Sequence, residues 1–134
     1  MMDAQDVSAI RVLVVEDFEP FRRFICSKLA EDRKLRVIGE ASDGLEALRK
    51  AEELKPDLVL LDIGLPKMNG IEAGRQLRKL DSKSKIIFVT QESSAEVVQE
   101  ALSLGSYVWK ASAEYDLLAA VESVISGKRF VSSK

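Results

Sequence analysis

The sequence predicts an α/β fold, a doubly wound parallel sheet with helices on both faces, and two observations predict it. Short β-rich runs alternate with helical patterns from one end to the other, and three of the runs, VLVV, LVLL and IIFV, are apolar on consecutive residues. Alternation means successive strand-helix units, which pair in parallel. Unbroken apolarity marks strands covered on both faces, so these three belong at the centre of the sheet.

Each element has its own local signal. RVLVV is the first strand, and FEPFRRFICSKLAED follows with Phe21, Phe24, Ile25 and Leu29 at helical spacing. Cys26, the only cysteine, lies among them and reads as a small core residue. LRVIGE is the second strand and GLEALRKAEEL the second helix, entered through Asp43 with Glu46 three residues on. LVLLD and GIEAGRQLRKL follow, with Asn69 and Glu72 as the matching pair. KIIFVT then leads into SAEVVQEALSL, where Ser93 and Glu96 have the same spacing. YVWK is the fifth strand, and EYDLLAAVESVISG is the last helix, closed by Gly127 where a left-handed cap is wanted.

Composition narrows the function classes. A chain of 134 residues with 46% apolar and 31% charged residues fits one soluble domain with a real core. Twenty basic against 22 acidic residues leave a net charge of −2, which argues against a surface built for nucleic acid or anionic membrane. The acidic start, MMDAQDVSA, lacks the features of a secretory signal, and no apolar run approaches the roughly 18 to 20 residues a membrane span needs. The cytosol is the expected location, with no membrane partner. Histidine is absent, which removes every mechanism that needs a protein imidazole.

Four strands end in chemically useful residues: Glu16 and Asp17 after the first, Asp62 after the third, Thr90 after the fourth and Lys110 after the fifth. In an open parallel sheet these ends lie on one rim beside the switch point, where functional groups gather. Carboxylates about 4 Å apart repel by roughly 4 kcal/mol at an effective dielectric near 20. One lysine supplies one compensating charge, so a divalent cation completes the site. An all-oxygen donor set points to Mg²⁺, with Mn²⁺ as the alternative, and the lack of histidine disfavours Zn²⁺. A carboxylate beside such a cation can act as nucleophile towards a phosphoryl group, and Asp62 is best placed for it, with Glu16 and Asp17 as metal holders.

At this point the chain resembles the receiver domains of bacterial two-component response regulators, from about Val7 to Arg129. VLVVED, DGLEAL, PDLVLLDIGLPKMNGIE, IIFVT and YVWK carry the resemblance, in the family's order and approximate spacing. PDLVLLDIGLPKMNG and the closing VISGKRFVSS look most like regulators with a LuxR-type helix-turn-helix output. The resemblance implies a flavodoxin-like sheet of five strands in the order 2-1-3-4-5. It makes Asp62 the phosphoacceptor, with Asp17, Asp62 and the Gly64 backbone carbonyl on Mg²⁺ and Glu16 acting through water. Thr90 would be the switch hydroxyl, Tyr107 the aromatic that turns inward on activation, and Lys110 the phosphoryl-binding ammonium.

The implied partners are a histidine kinase or phosphotransfer protein, and a second copy through the face made by the fourth helix, fifth strand and fifth helix. DNA would be met only through an output domain. Such a chain catalyses its own phosphorylation and slow dephosphorylation and is not otherwise an enzyme. Residues 1–8 then read as a flexible lead, 9–127 as the receiver domain, and 128–134 as a tail or the start of a linker.

The sequence departs from the pattern in two places. Gly105-Ser106-Tyr107-Val108-Trp109-Lys110 is about two residues shorter than the subfamily's usual approach to the last helix. Either the fourth helix ends early and Lys110 still reaches the site, or the tight connection impairs switching or invites domain swapping. Gln91 and Glu92 follow Thr90 where a small residue is common; they read as a solvated pair or as an influence on phosphate lifetime. Trp109 fills core space or faces a partner. The basic cluster Arg75, Arg78, Lys79, Lys83 and Lys85 reads as a solvated face at a helix carboxyl end.

Three alternatives compete. An aspartyl-phosphate phosphohydrolase would want an acid two residues past Asp62, where Gly64 stands. A flavodoxin-like cofactor binder would offer Ser, Thr and Gly in its first loop, where EDFEPF offers acids. A receiver-shaped scaffold that takes no phosphate is kept open by the short turn.

Overall fold

The computed structural model describes residues 9–81 and 83–132. The lead expected over residues 1–8 lies outside the described residues. Five strands, β1 (Ile10–Val15), β2 (Leu35–Ala41), β3 (Leu58–Leu61), β4 (Lys85–Thr90) and β5 (Ser106–Trp109), form one sheet in the order β2-β1-β3-β4-β5. All pairings are parallel. Between them run α1 (Glu19–Leu29), α2 (Gly44–Leu54), α3 (Gly70–Leu80) and α4 (Ala95–Leu104), and α5 (Ala113–Ile125) follows a 3₁₀ turn at Lys110–Ser112.

The consecutive apolar runs divide by parity, as a strand's two-residue period requires. Leu13, Val15, Val59, Leu61, Phe88 and Tyr107 build the core on one face, under α2, α3 and α4. Val12, Val14, Leu58, Leu60, Ile87, Val89 and Val108 build the other, under α1 and α5. Cys26 packs half-buried against this second cluster. Burial and then the nearby Glu40 carboxylate raise its thiol pKa, so it stays a neutral packing group.

The capping side chains follow the predicted chemistry with one shift, but among the described residues only Glu46 reaches back towards its cap, while the Glu72 carboxylate accepts from Arg75 and Gln76. Asp43 accepts from the Glu46 N–H at 2.8 Å, and Glu46 Oε1 accepts from the Ser42 N–H at 2.7 Å, closing a reciprocal box. Asn69 caps α3 through the Glu72 N–H at 3.0 Å. At α4 the expected pair Ser93 and Glu96 is replaced by Ser94, which accepts from the Val97 N–H at 3.2 Å. Adjacent serines are equivalent in sequence. The chain up to Glu92 is tied by its N–H to Thr90 Oγ1 and by its carbonyl to the Tyr107 hydroxyl, and the helix starts where that anchored loop delivers it. Gly127 takes φ +84°. Its N–H and that of Lys128 bond Val124 and Ser123 carbonyls at 3.0 and 2.8 Å, a full left-handed helix stop.

The shortened connection is a single residue. Gly105 alone separates α4 from β5, and an added Cβ there would lie 2.2 Å from the Ile86 carbonyl oxygen. The helix ends early, and the fifth strand still pairs with β4 in its own chain.

The basic cluster is not uniformly solvated. The Arg78 guanidinium donates to the carbonyls of Ser84 and Leu104, both at 2.6 Å, and so clamps the end of α3 to the end of α4. Arg75 pairs with Glu72 and Glu100. Lys79, Lys83 and Lys85 are exposed as expected. Among the described residues no helix is long and apolar enough to cross a membrane.

Candidate phosphoryl site

The register of β1 against β3 sets Val15 opposite Leu61. The next residues, Glu16 and Asp62, therefore emerge side by side, and the Asp62 N–H donates to the Val15 carbonyl at 3.1 Å. With Asp17 they form a group whose ligand oxygens all lie within 4.8 Å of one another. Glu16 and Asp62 are buried and Asp17 is exposed, so the cluster opens to solvent on one side.

Lys110 closes the other side. Its Nζ lies 2.8 Å from Glu16 Oε1 and 3.0 Å from Asp62 Oδ2, and 4.9 Å from the centre of the Phe21 ring on α1. The short turn thus leaves Lys110 in reach of the acids. Phe21 was legible in sequence only as a helical core residue; its second role as the ammonium's cation–π floor comes from the packing of α1.

Two of the three carboxylates, Glu16 and Asp62, share this one ammonium. Burial raises the Glu16 carboxyl pKa, and Lys110 together with the Phe18 N–H, 2.9 Å from Oε2, offsets the effect in part. Burial lowers the Lys110 pKa, but its bonds to Glu16 and Asp62 outweigh that and leave it above the ordinary value. Glu16 Oε1 has its ionic contact with Lys110 and accepts no further hydrogen bond among the described residues. A buried, under-coordinated carboxylate oxygen beside two more acids suits a hard divalent cation, and the all-oxygen donor set fits that group.

Glu16, Asp17, Asp62, Gly64, Thr90 and Lys110 line one hollow of about 320 Å³, with Phe18, Gln91 and Glu92 also on its wall. Gly64 donates its N–H towards Asp62 Oδ1 at 3.4 Å, and open space surrounds its Cα where a side chain would stand. Thr90 is buried, and its Oγ1 accepts the Glu92 N–H at 3.1 Å, which leaves the hydroxyl proton free to donate. A hollow of about 440 Å³ between the ends of α2 and α3 is larger but lacks the three-acid cluster.

Tyr107 stands behind this wall rather than in it. It shares the Thr90 face of the sheet, is 1% exposed, and donates its hydroxyl to the Glu92 backbone carbonyl. Burial, then the Glu92 and Asp62 charges, push its phenol from 10.0 up to about 12. Trp109 packs edge-on against it at 5.2 Å and is half-buried against the same core cluster, which makes it a core-filling residue at the sheet's margin. Glu92 matters here through its backbone, a role that no side-chain pattern announces.

A family profile for the response regulator receiver domain matches residues 12–122. The chain belongs to that family. This receiver domain is 37% identical over 125 residues to response regulator GacA of Pseudomonas viridiflava, covering 92% of this chain and 58% of that protein. It is 36% identical over 122 residues to response regulator VraR of Staphylococcus epidermidis, covering 90% of this chain and again 58% of the relative. The chain thus spans a little over half the length of these relatives. A LuxR-family two-component response regulator from Aurantimonas sp. SI85-9A1 has a similar structure, with TM-score 0.85 and 31% identity over 92% of this chain and 89% of that one.

Proposed function

We propose that this receiver domain is a phosphorylation switch in which Asp62 accepts a phosphoryl group from the phosphohistidine of a kinase or phosphotransfer protein. The observation that carries the reading is the Lys110 ammonium 3.0 Å from Asp62 Oδ2, in a group where Glu16, Asp17 and Asp62 each bring one carboxylate oxygen within 4.8 Å of the others. Lys110's reach supports this reading over a scaffold that takes no phosphate.

Asp17, Asp62 and the Gly64 carbonyl would hold Mg²⁺, with Mn²⁺ as substitute and Glu16 acting through water. The bound ion would offset carboxylate charge and neutralise phosphoryl oxygens as they approach. A carboxylate oxygen of Asp62 then attacks phosphorus, the P–N bond to the donor imidazole breaks, and the imidazole leaves with the electron pair and takes up a proton. Lys110 gives up part of its contact with Asp62 to bind one phosphoryl oxygen, and the free Thr90 hydroxyl proton is donated to another.

The output follows from the same contacts. A hydrogen bond to a charged group is worth about 1.5 to 3 kcal/mol. Two such bonds approach the roughly 5.5 kcal/mol that reverses a 1:99 population. Thr90 and Tyr107 both bond the backbone of Glu92, so the change passes into α4, β5 and α5, the face proposed to control dimerisation. By likeness to GacA, VraR and the LuxR-family regulator, the domain would act in the cytoplasm and govern transcription through an output domain, with no nucleic-acid contact of its own. Self-phosphorylation and slow self-dephosphorylation would be its only chemistry.

Intact mass spectrometry after acetyl phosphate, with and without Mg²⁺, tests the assignment. One Mg²⁺-dependent phosphate adduct is expected, absent from Asp62→Asn. An adduct that survives the substitution would overturn it.

A further inference from the structure

Residues 129–132 are docked along the free edge of β5. The Tyr107 N–H donates to the Phe130 carbonyl at 3.0 Å, and the Ser132 N–H donates to the Tyr107 carbonyl at 2.9 Å, so both backbone groups of Tyr107 are used. This is a parallel bridge between Tyr107 and Val131. The Phe130 N–H donates to Ser106 Oγ at 2.9 Å. Ser132 Oγ accepts the Trp109 N–H at 3.2 Å and donates to Asp116 Oδ2, in the first turn of α5, at 2.7 Å. Ser132 is thereby 7% exposed, although Val131 beside it is 48% exposed.

These contacts meet the proposed site at two points. Tyr107, held at its backbone by the strap, holds the Glu92 carbonyl with its hydroxyl, and the Glu92 N–H is bonded to Thr90 Oγ1 on the wall of the hollow. Trp109, bonded to Ser132, immediately precedes Lys110. A hydrogen-bonded path therefore runs from the strap to Thr90, and one step along the main chain from Trp109 reaches Lys110.

We propose that the segment 129–132 is a regulatory latch, whose docking on β5 and α5 is thermodynamically linked to phosphorylation of Asp62. This rests on the phosphoacceptor reading above. The sign follows from the path. A phosphoryl oxygen bonded by Thr90 stiffens the loop through Glu92, which holds Tyr107 in place, and an ordered Tyr107 presents the edge that the strap needs. Docking and phosphate favour each other, and by reciprocity loss of the strap disfavours phosphate by the same factor. The chain leaving α5 thus senses the site through main-chain bonds, independently of the helical face.

The test compares the whole chain with Ser132→Ala, Ser132→Thr and a chain ending at Gly127. Two quantities are read: amide hydrogen exchange at Tyr107 and Trp109, and the equilibrium affinity for the phosphoryl mimic beryllofluoride with Mg²⁺. Ser132→Ala and the truncation are expected to speed exchange at both amides and to weaken that affinity about fivefold, the low end of ordinary coupling between sites. Ser132→Thr, which keeps the hydroxyl, restores both. In the whole chain, beryllofluoride slows exchange of the Ser132 amide. If beryllofluoride binds equally well with the strap open and docked, the latch is overturned and the phosphoacceptor reading stands. If no chain binds it or forms an adduct with acetyl phosphate, both fall.

Discussion

Lys110 Nζ sits 2.8 Å from Glu16 Oε1, and that carboxylate is fully buried while the ammonium's side chain is 17% exposed. Among the described residues Glu16 is the most buried charged side chain, and the acids on the rim depend on its partner ammonium. Replacing Lys110 by Met would leave Glu16 and Asp62 facing each other without a counter-charge. The expected loss is about 3 kcal/mol, the low end of what breaking a buried pair costs. Urea unfolding without divalent cation measures it. Glu16→Gln in the same chain should recover a good part. The sign with pH is set by Glu16: its folded pKa is raised, so its contribution is fully present below the unfolded value and is lost as pH rises through the folded one. Lys110 holds that pKa down, so without it the Glu16 carboxyl rises further, the variant loses more stability than the parent as pH rises, and the deficit of Lys110→Met grows.

Divalent cation should relieve the same repulsion. At a Mg²⁺ concentration about a hundredfold above its dissociation constant, the folded state gains about 2.7 kcal/mol by mass action. Thermal unfolding with and without Mg²⁺ reads this directly. Asp17→Asn removes the exposed acid and should abolish most of the rise while leaving the cation-free midpoint nearly unchanged. An equal rise in both chains would place the cation elsewhere.

The Tyr107 phenol offers a reporter of the switch wall. With Tyr115→Phe it is the only tyrosine, and its absorbance near 295 nm should titrate at about 12 rather than at the ordinary 10.0. The neutral form is the one the fold prefers, so Tyr107 contributes stability that is intact below pH 10 and is lost as pH rises from there through the raised value. Tyr107→Phe removes the bond to the Glu92 carbonyl, which should cost about 1 kcal/mol and abolish that part of the alkaline decline. A phenol titrating at its ordinary value would show the ring in solvent.

Two glycines, Gly64 at the site and Gly105 at the opposite end of β5, should respond unequally. An added Cβ at Gly105 lies 2.2 Å from the Ile86 carbonyl oxygen, and backbone cannot yield there without separating β4 from β5. Gly105→Ala is expected to cost more than about 3 kcal/mol, or to prevent folding. Gly64→Ala has open space around the new methyl and should change stability by less than about 0.5 kcal/mol. Chemical denaturation of the two variants side by side decides the matter.

What the sequence determined by itself was everything that repeats with a short period or sits at a strand end. Consecutive apolar residues in VLVV, LVLL and IIFV encode a strand covered on both sides, because each face takes every second residue; the two cores divide along that parity. Glu16, Asp62 and Lys110 were legible for the same reason, since parallel strands of matched register deliver their next residues to one rim. Local chemistry also announced the Asp43 box and the Gly127 stop, both made within a few residues of chain.

Only the tertiary structure decided interactions between a side chain and a distant backbone group, because every residue carries that group and none advertises its availability. Arg78 on two carbonyls, Tyr107 on the Glu92 carbonyl and Ser132 on the Trp109 N–H are all of this kind. The choice of Ser94 over Ser93 is another, set by where an anchored loop releases the chain. Hydropathy is a property of residues and is written along the chain; hydrogen-bond partnership across it depends on which orphaned donors and acceptors the packed elements bring together.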